Sequence, residues 1–236
     1  MPGCTSLADQ VSPDQLALQR LYYWEQHCPD RVALTQPMGD GRVTDLTWGE
    51  LARQVRSMAA HLRAQGWEPG SRVAILSKNC AWWLMSDLAI WMAGHVSVPL
   101  YPTLAPDTVR QILEHSESRA CFVGKLDGWE DMKPGMPANL PCIGYPLSPP
   151  DVRAACEGWD EVCQRTAPLE GQPLRDMDDL ATLIYTSGTT GRPKGVMHRF
   201  GAFAYALEHG TRRIPMTEQD RMLSYLPLAH VVERTL

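Results

Sequence analysis

Between two apolar runs the chain carries Thr186, Ser187, Gly188, Thr189, Thr190, Gly191, Arg192, Pro193 and Lys194, with Gly195 next. These residue types can grip an anion. Glycines let a loop bring its backbone N–H groups close to a ligand. The hydroxyls of Thr186, Ser187, Thr189 and Thr190 add donors, and Lys194 adds a flexible positive charge. Together they suit a polyphosphate. Composition alone also allows a Gly/Ser/Thr linker, against which stand the short span, the apolar flanks and the stiffening Pro193. The common nucleotide loop puts Ser or Thr directly after Gly-Lys. Here Gly195 follows Lys194, which disfavours an ordinary P-loop kinase or GTPase.

Such a loop needs elements to hold it. Ala181–Tyr185 before it and Gly195–His198 after it have the composition of strands, and FGAFAYALEHG reads as a helix. Upstream, Ser12-Pro13-Asp14-Gln15 and Thr47-Trp48-Gly49-Glu50 have the form of capping boxes. The first opens a helix towards Cys28. Behind the second, Leu51, Val55, Met58 and Leu62 recur at helical spacing until Gly66. Val32–Thr35 reads as a strand followed by the hairpin turn Gly39-Asp40-Gly41. RVAILS, VSVPL and ACFVG are buried-strand candidates separated by a Trp-rich helix, which Asn79 can cap, and by a helix over Pro106–His115. Strand and helix alternate, the pattern of an α/β fold with a parallel sheet and packed helices.

The stretch from Lys125 to Pro150 is rich in Pro and Gly and reads as an irregular surface connection, with a short helix near Trp159–Arg165 beyond it. Met222–Leu226 reads as a further strand. The organisation expected is a first α/β subdomain over 1–175 and the start of a second over 176–236, meeting between Ala167 and Asp179.

The formal net charge is −5 and no basic run stands out, which disfavours nucleic-acid binding. The seven cysteines are scattered and read as reduced thiols in a cytoplasmic protein. The N-terminus lacks the apolar core of a signal peptide. The longest apolar stretch, AWWLMSDLAIWMAG, is broken by Asp87 and is too short to span a bilayer. Trp82, Trp83 and Trp91 lie at helical spacing and read as a core face rather than a lipid surface. Asp178 and Asp179 read as turn residues, His198 as structural, and Glu233 and Arg234 as a helix face.

YTSGTTGRPKGV, Tyr185 to Val196, resembles the phosphate-binding signature of the adenylate-forming enzymes, over twelve contiguous positions. SYLPLAHVVER, Ser224 to Arg234, resembles the next family motif in its long-chain acyl-CoA synthetase form, and SVPLYPTL is similar to that branch. The resemblance implies an incomplete adenylate-forming N-terminal domain. It implies a ligase that joins a fatty acid to AMP, releasing pyrophosphate, and then passes the acyl group to coenzyme A. It implies that Thr186, Ser187, Gly188, Thr189, Thr190, Gly191 and Lys194 hold the β- and γ-phosphates of ATP, with Lys194 catalytic and Thr186 near Mg²⁺. His230 aligns with a position beside the acyl and nucleotide sites; a capping or core role stays open for it.

The family pattern continues past Leu236, with segments for adenine, ribose and Mg²⁺ and a small C-terminal domain bearing a catalytic lysine. The expectation is therefore an N-terminal fragment that is inactive alone. Its parent would take ATP, fatty acid and coenzyme A, with room for peripheral contact at the inner face of a membrane. The rival readings are a non-catalytic nucleotide- or partner-binding module and a peptide-synthetase adenylation domain.

Overall fold

The computed structural model of the chain describes residues 11–187, 193–211, 217–231 and 233–235. The Ser12 side chain accepts from the Asp14 amide and opens a 3-10 turn over Pro13–Gln15, ahead of α1 (Ala17–His27). The strands β1 (Val32–Gly39) and β2 (Arg42–Thr47) form an antiparallel hairpin. Its turn places Gly39, Asp40 and Gly41 all at positive φ, which the two glycines reach without strain. The capping box at α2 (Trp48–Ala64) forms as expected. Thr47 Oγ1 accepts from the Glu50 amide at 3.2 Å, and Glu50 Oε2 accepts from the Thr47 amide at 2.9 Å.

Next come β3 (Arg72–Leu76), α3 (Ala81–Met92), β4 (Val96–Leu100), α4 (Pro106–His115) and β5 (Ala120–Val123). They are followed by α5 (Trp129–Met132), β6 (Cys142–Gly144), α6 (Pro150–Ala155), β7 (Glu157–Gly158) and α7 (Trp159–Arg165). The hairpin β8 (Leu180–Ser187) and β9 (Pro193–Arg199) leads into α8 (Phe200–Thr211), and a 3-10 turn covers Glu233–Thr235.

Among the described residues the larger sheet has seven strands in the order β7-β6-β5-β3-β4-β8-β9. Its pairs are parallel except β8–β9. Successive strand side chains point to opposite faces, so the sheet feeds two cores. Val73, Ile75, Ala120 and Phe122 pack with α1, α2, α3 and α7. Ala74, Leu76, Val98, Cys121 and Val123 pack with α4, α5 and α6. Trp82, Trp83 and Trp91 all lie in the first core.

Four expectations need correction. The strands before Gly124 and the strand ending at Ser187 share one sheet, because β8 pairs with β4 through Ser97 and Thr182. No break between sheets therefore falls between 1–175 and 176–236. The stretch from Lys125 to Pro150 is not all surface: it contains α5 and β6, and Trp129, Met132, Ile143 and Tyr145 are buried. A three-residue strand is too short to show periodicity. Asn79 does not cap α3; Gln36 Oε1 of β1 accepts from the Ala81 amide instead, at 2.8 Å. Met222–Leu226 forms no strand, and Met222, Leu223 and Tyr225 are exposed. Their apolar character has no partner strand among the described residues to complete a ladder.

Candidate functional site

The β8–β9 hairpin places two of the expected phosphate-binding residues face to face. Thr186 is the register partner of Lys194, and Ser187 that of Pro193. Directly opposed residues of an antiparallel pair share a face, with Cβ atoms about 4.5–5.5 Å apart. Thr186 and Lys194 are both exposed, so a hydroxyl and an ammonium project together into solvent. They stand at the carboxyl end of β8, where open parallel sheets bind their ligands. Gly188, Thr189, Thr190 and Gly191 lie outside the described residues.

The neighbouring pair fixes the hairpin from its other face. Tyr185 is the register partner of Gly195. A Cβ at Gly195 would sit 3.1 Å from Tyr185 Cζ, so glycine lets the ring lie against the strand without crowding. The Tyr185 hydroxyl shares a 2.7 Å hydrogen bond with His115 Nδ1 at the end of α4, and the two rings meet edge to face. Burial pushes the Tyr185 phenol upward, with Arg72 opposing, so the hydroxyl stays neutral and available as a donor. This explains the residue after the lysine. Gly195 serves the tyrosine, whereas an ordinary P-loop would need a hydroxyl there.

The base of the hairpin confirms the turn reading of the paired aspartates. Asp179 Oδ2 accepts from Arg175 Nε and from the Asp176 amide, and Asp178 pairs with Arg199. His198 is half-buried against the Phe203 ring. Burial holds its imidazole below the ordinary value, with Arg234 adding to that effect.

His230 is brought to the same end of the sheet by a residue that the sequence reading misassigned. Asn79 follows the carboxyl end of β3 and holds the segment before His230 through three bonds. Its Nδ2 donates to Ser224 Oγ at 2.9 Å and to the Leu226 carbonyl at 2.6 Å, and its Oδ1 accepts from the Leu228 amide at 2.9 Å. The His230 amide then closes a turn onto the Pro227 carbonyl at 2.8 Å. The His230 side chain is exposed, which excludes a core role. Because β3 and β8 run parallel in one sheet, the His230 turn and the Thr186–Lys194 pair occupy the same edge. Arg234 is no surface helix residue: its side chain is 3% exposed. Nothing local in the sequence marks it as buried.

Among the described residues no group of three or more His, Cys, Asp or Glu is placed to hold a metal ion. No described helix is long and apolar enough to cross a membrane.

Comparison with known proteins bears on the family and the fold. A family model described as AMP-binding enzyme matches residues 21–236. The long-chain-fatty-acid–CoA ligase FadD15 of Mycobacterium bovis is 35% identical over 225 residues, covering 90% of this chain and 36% of the relative. The probable CoA ligase CCL6 of Humulus lupulus is 32% identical, covering 80% of this chain and 31% of the relative. The chain thus spans about a third of the length of these relatives. Among solved structures, O-succinylbenzoate coenzyme A synthetase of Bacillus subtilis, in complex with ATP and magnesium ion, superposes with a TM-score of 0.71 at 28% identity. That match covers 91% of this chain and 52% of the other. A long-chain-fatty-acid CoA ligase structure from Rhodopseudomonas palustris gives 0.74 at 22% identity, covering 93% and 54%; that likeness concerns the fold alone.

Proposed function

The chain belongs to the AMP-binding enzyme family, and on that premise we propose that it supplies the triphosphate grip of an ATP-dependent fatty acid–CoA ligase. The observation that carries the reading is the exposed Thr186–Lys194 pair at the carboxyl end of β8. Fatty acid as the substrate class draws its support from the long-chain relatives.

In the first step a carboxylate oxygen attacks the α-phosphorus of ATP, and the bond to the bridging oxygen of pyrophosphate breaks. One anion approaches another while charge builds on the leaving group, so positive charge fixed at the β- and γ-phosphates lowers the barrier. Lys194 provides that charge, and the hydroxyl of Thr186 beside it provides a donor or a ligand oxygen. Mg²⁺ prefers oxygen ligands, and Thr186 would hold it with one such oxygen. The ion would supply further charge neutralisation. In the second step the thiol sulfur of coenzyme A attacks the acyl carbon, AMP leaves and the thiol proton is released.

Lys194→Ala in the complete ligase tests the reading. Loss of a stabilising donor at such a site costs about 2.7–4 kcal/mol, or roughly a hundred- to a thousand-fold in rate. The loss is expected in adenylate formation. Thioester formation from supplied acyl-adenylate should change little, since pyrophosphate has already left. A folded variant whose adenylation stays within a few-fold of the parent would refute the grip.

A further inference from the structure

The junction between β4 and β8 has the shortest paired ladder in the sheet. The two strands share a single register pair, Ser97 with Thr182, whereas β3 and β4 share five. The cause is legible in the backbone. The Val96 amide donates to the Ser71 carbonyl on the β3 side, at 2.9 Å. Successive amides of a strand point to opposite edges, so the amide positions of Ser97 and Pro99 face β8. Proline has no N–H to give. The ladder to β8 therefore lacks a donor at Pro99.

Side chains reinforce the one paired position. Trp91 Nε1 donates to the Ala181 carbonyl at 2.8 Å, and Thr182 Oγ1 donates to the Ser97 carbonyl at 2.9 Å. Arg234 completes the set. Its Nη1 donates to Thr182 Oγ1 at 3.0 Å, and its Nη2 donates to Ser97 Oγ at 3.2 Å and to Asp87 Oδ2 at 2.5 Å. One guanidinium thus joins α3, β4 and β8. Its carbon lies 5.1–5.5 Å from the ring centroids of Phe203, Trp91 and Trp83, a setting that favours a cation. The pair is buried: Asp87 is 5% exposed. Burying two charges costs several kcal/mol per ion and is weak evidence for stability, which raises the question of what the pair is for.

We propose that Arg234 is a positioning residue: its guanidinium closes the β4–β8 junction and thereby sets Thr186 and Lys194 relative to the His230 turn. Arg234 follows the Asn79-bound segment, while Thr182 precedes Thr186 on the same strand. The fork links the two halves of the site at a fixed separation. A misplacement of about 1 Å at such a site can cost roughly a hundred-fold in rate.

The proposal rests on the phosphate-grip reading, and the experiment separates the two. ATP–pyrophosphate exchange, thermal melting and hydrogen exchange of the 180–187 amides are compared in the complete ligase for the parent, Lys194→Ala, Arg234→Lys and the double variant Asp87→Leu/Arg234→Met. The double variant replaces the buried pair by apolar groups and should melt near the parent. Its pyrophosphate exchange should fall about a hundred-fold, and its β8 amides should exchange faster. A double variant that melts near the parent, exchanges pyrophosphate within about three-fold of it and protects β8 equally would overturn the positioning role. If the double variant melts below the assay temperature, Arg234→Lys, which keeps the charge without the fork, is judged by the same limits. Loss of exchange in Lys194→Ala alone sinks only the positioning role, whereas retention there sinks the grip itself.

Discussion

The strands β3, β5 and β6 and the hairpin β8–β9 share one sheet yet are held in different ways. The first group is covered by helices on both faces. Val73, Ile75, Phe122 and Val123 are fully buried, and the rings of Phe122, Tyr145 and Trp159 lie about 6 Å from one another. The outer strand of the hairpin is sparsely covered: Val196 is 43% and Met197 72% exposed, although Ala181, Ile184 and Tyr185 of β8 are buried. Besides the apolar packing of β8, the hairpin is held by specific polar contacts, those of Tyr185 with His115, Trp91 with Ala181, and Arg234 with Thr182. Apolar packing makes a frame that resists change in any one contact. Directional contacts place a loop accurately but leave its placement vulnerable to a single substitution. The candidate phosphate site combines the two, with apolar packing under β8 and directional contacts at its margins.

The largest effect should come from the frame. Phe122→Ala is expected to cost about 3–5 kcal/mol in a denaturant titration, whereas Met197→Ala on the exposed hairpin should stay within about 0.5 kcal/mol. Comparable losses for the two would erase the distinction.

A middle-sized effect should come from the hairpin itself. Gly195→Ala puts a methyl group 3.1 Å from the Tyr185 ring. Such overpacking costs about 1–3 kcal/mol. It should appear as faster hydrogen exchange over 180–187 and weaker ATP binding, with the amides of β3 and β5 unchanged. Adding Tyr185→Ala, which removes the ring, should relieve the clash but forfeit the bond to His115. Equal loss of protection in β3 would mean that the hairpin is not separately held.

The smallest effect concerns acid. His95 is buried beside Trp67, and neither ring nitrogen has a hydrogen-bond partner among the described residues. Burial first, then Arg175 and Arg63, hold its pKa below the ordinary value. His61 is lowered by burial, with Glu157 opposing and Arg165 assisting, and His198 by burial and Arg234. A depressed histidine favours the neutral form in the folded state, so the unfolded chain binds more protons below about pH 6.5. Stability should therefore fall as pH drops through that value, by at most about 1.4 kcal/mol per pH unit for each group. His95→Leu should flatten the acid limb of a melting-temperature profile in the frame, and His198→Leu in the hairpin. A profile flat from pH 7.5 to pH 5.5 in the parent would contradict the assignment.

Local signals were legible in the sequence because neighbours in the chain produce them. The Thr47–Glu50 capping box, the Gly39-Asp40-Gly41 turn and the Trp-rich core helix each depend on residues a few positions apart. The Thr186–Lys194 pair was legible as chemistry, and the hairpin register supplied its geometry. What stayed hidden joins distant segments. Asp87 and Arg234 are far apart in sequence, and nothing local to either points to the other. Asn79 beside a helix start has the form of a cap, and only the fold shows Gln36 in that place and Asn79 on the 224–228 segment. The single sheet was equally hidden, since β8 joins β4 across a long interval and the strands between them give no sign of the order.

Pro99 has a further consequence while the chain is being made. Strand β4 emerges well before β8, and through the long interval between Leu100 and Leu180 its outer edge has no native partner. An unfinished sheet with an open apolar edge is a template for a strand from another nascent chain. Proline denies such an intruder a hydrogen bond in the middle of that edge. The missing N–H that shortens the finished ladder to β8 thus also leaves a foreign strand one donor short at the same edge.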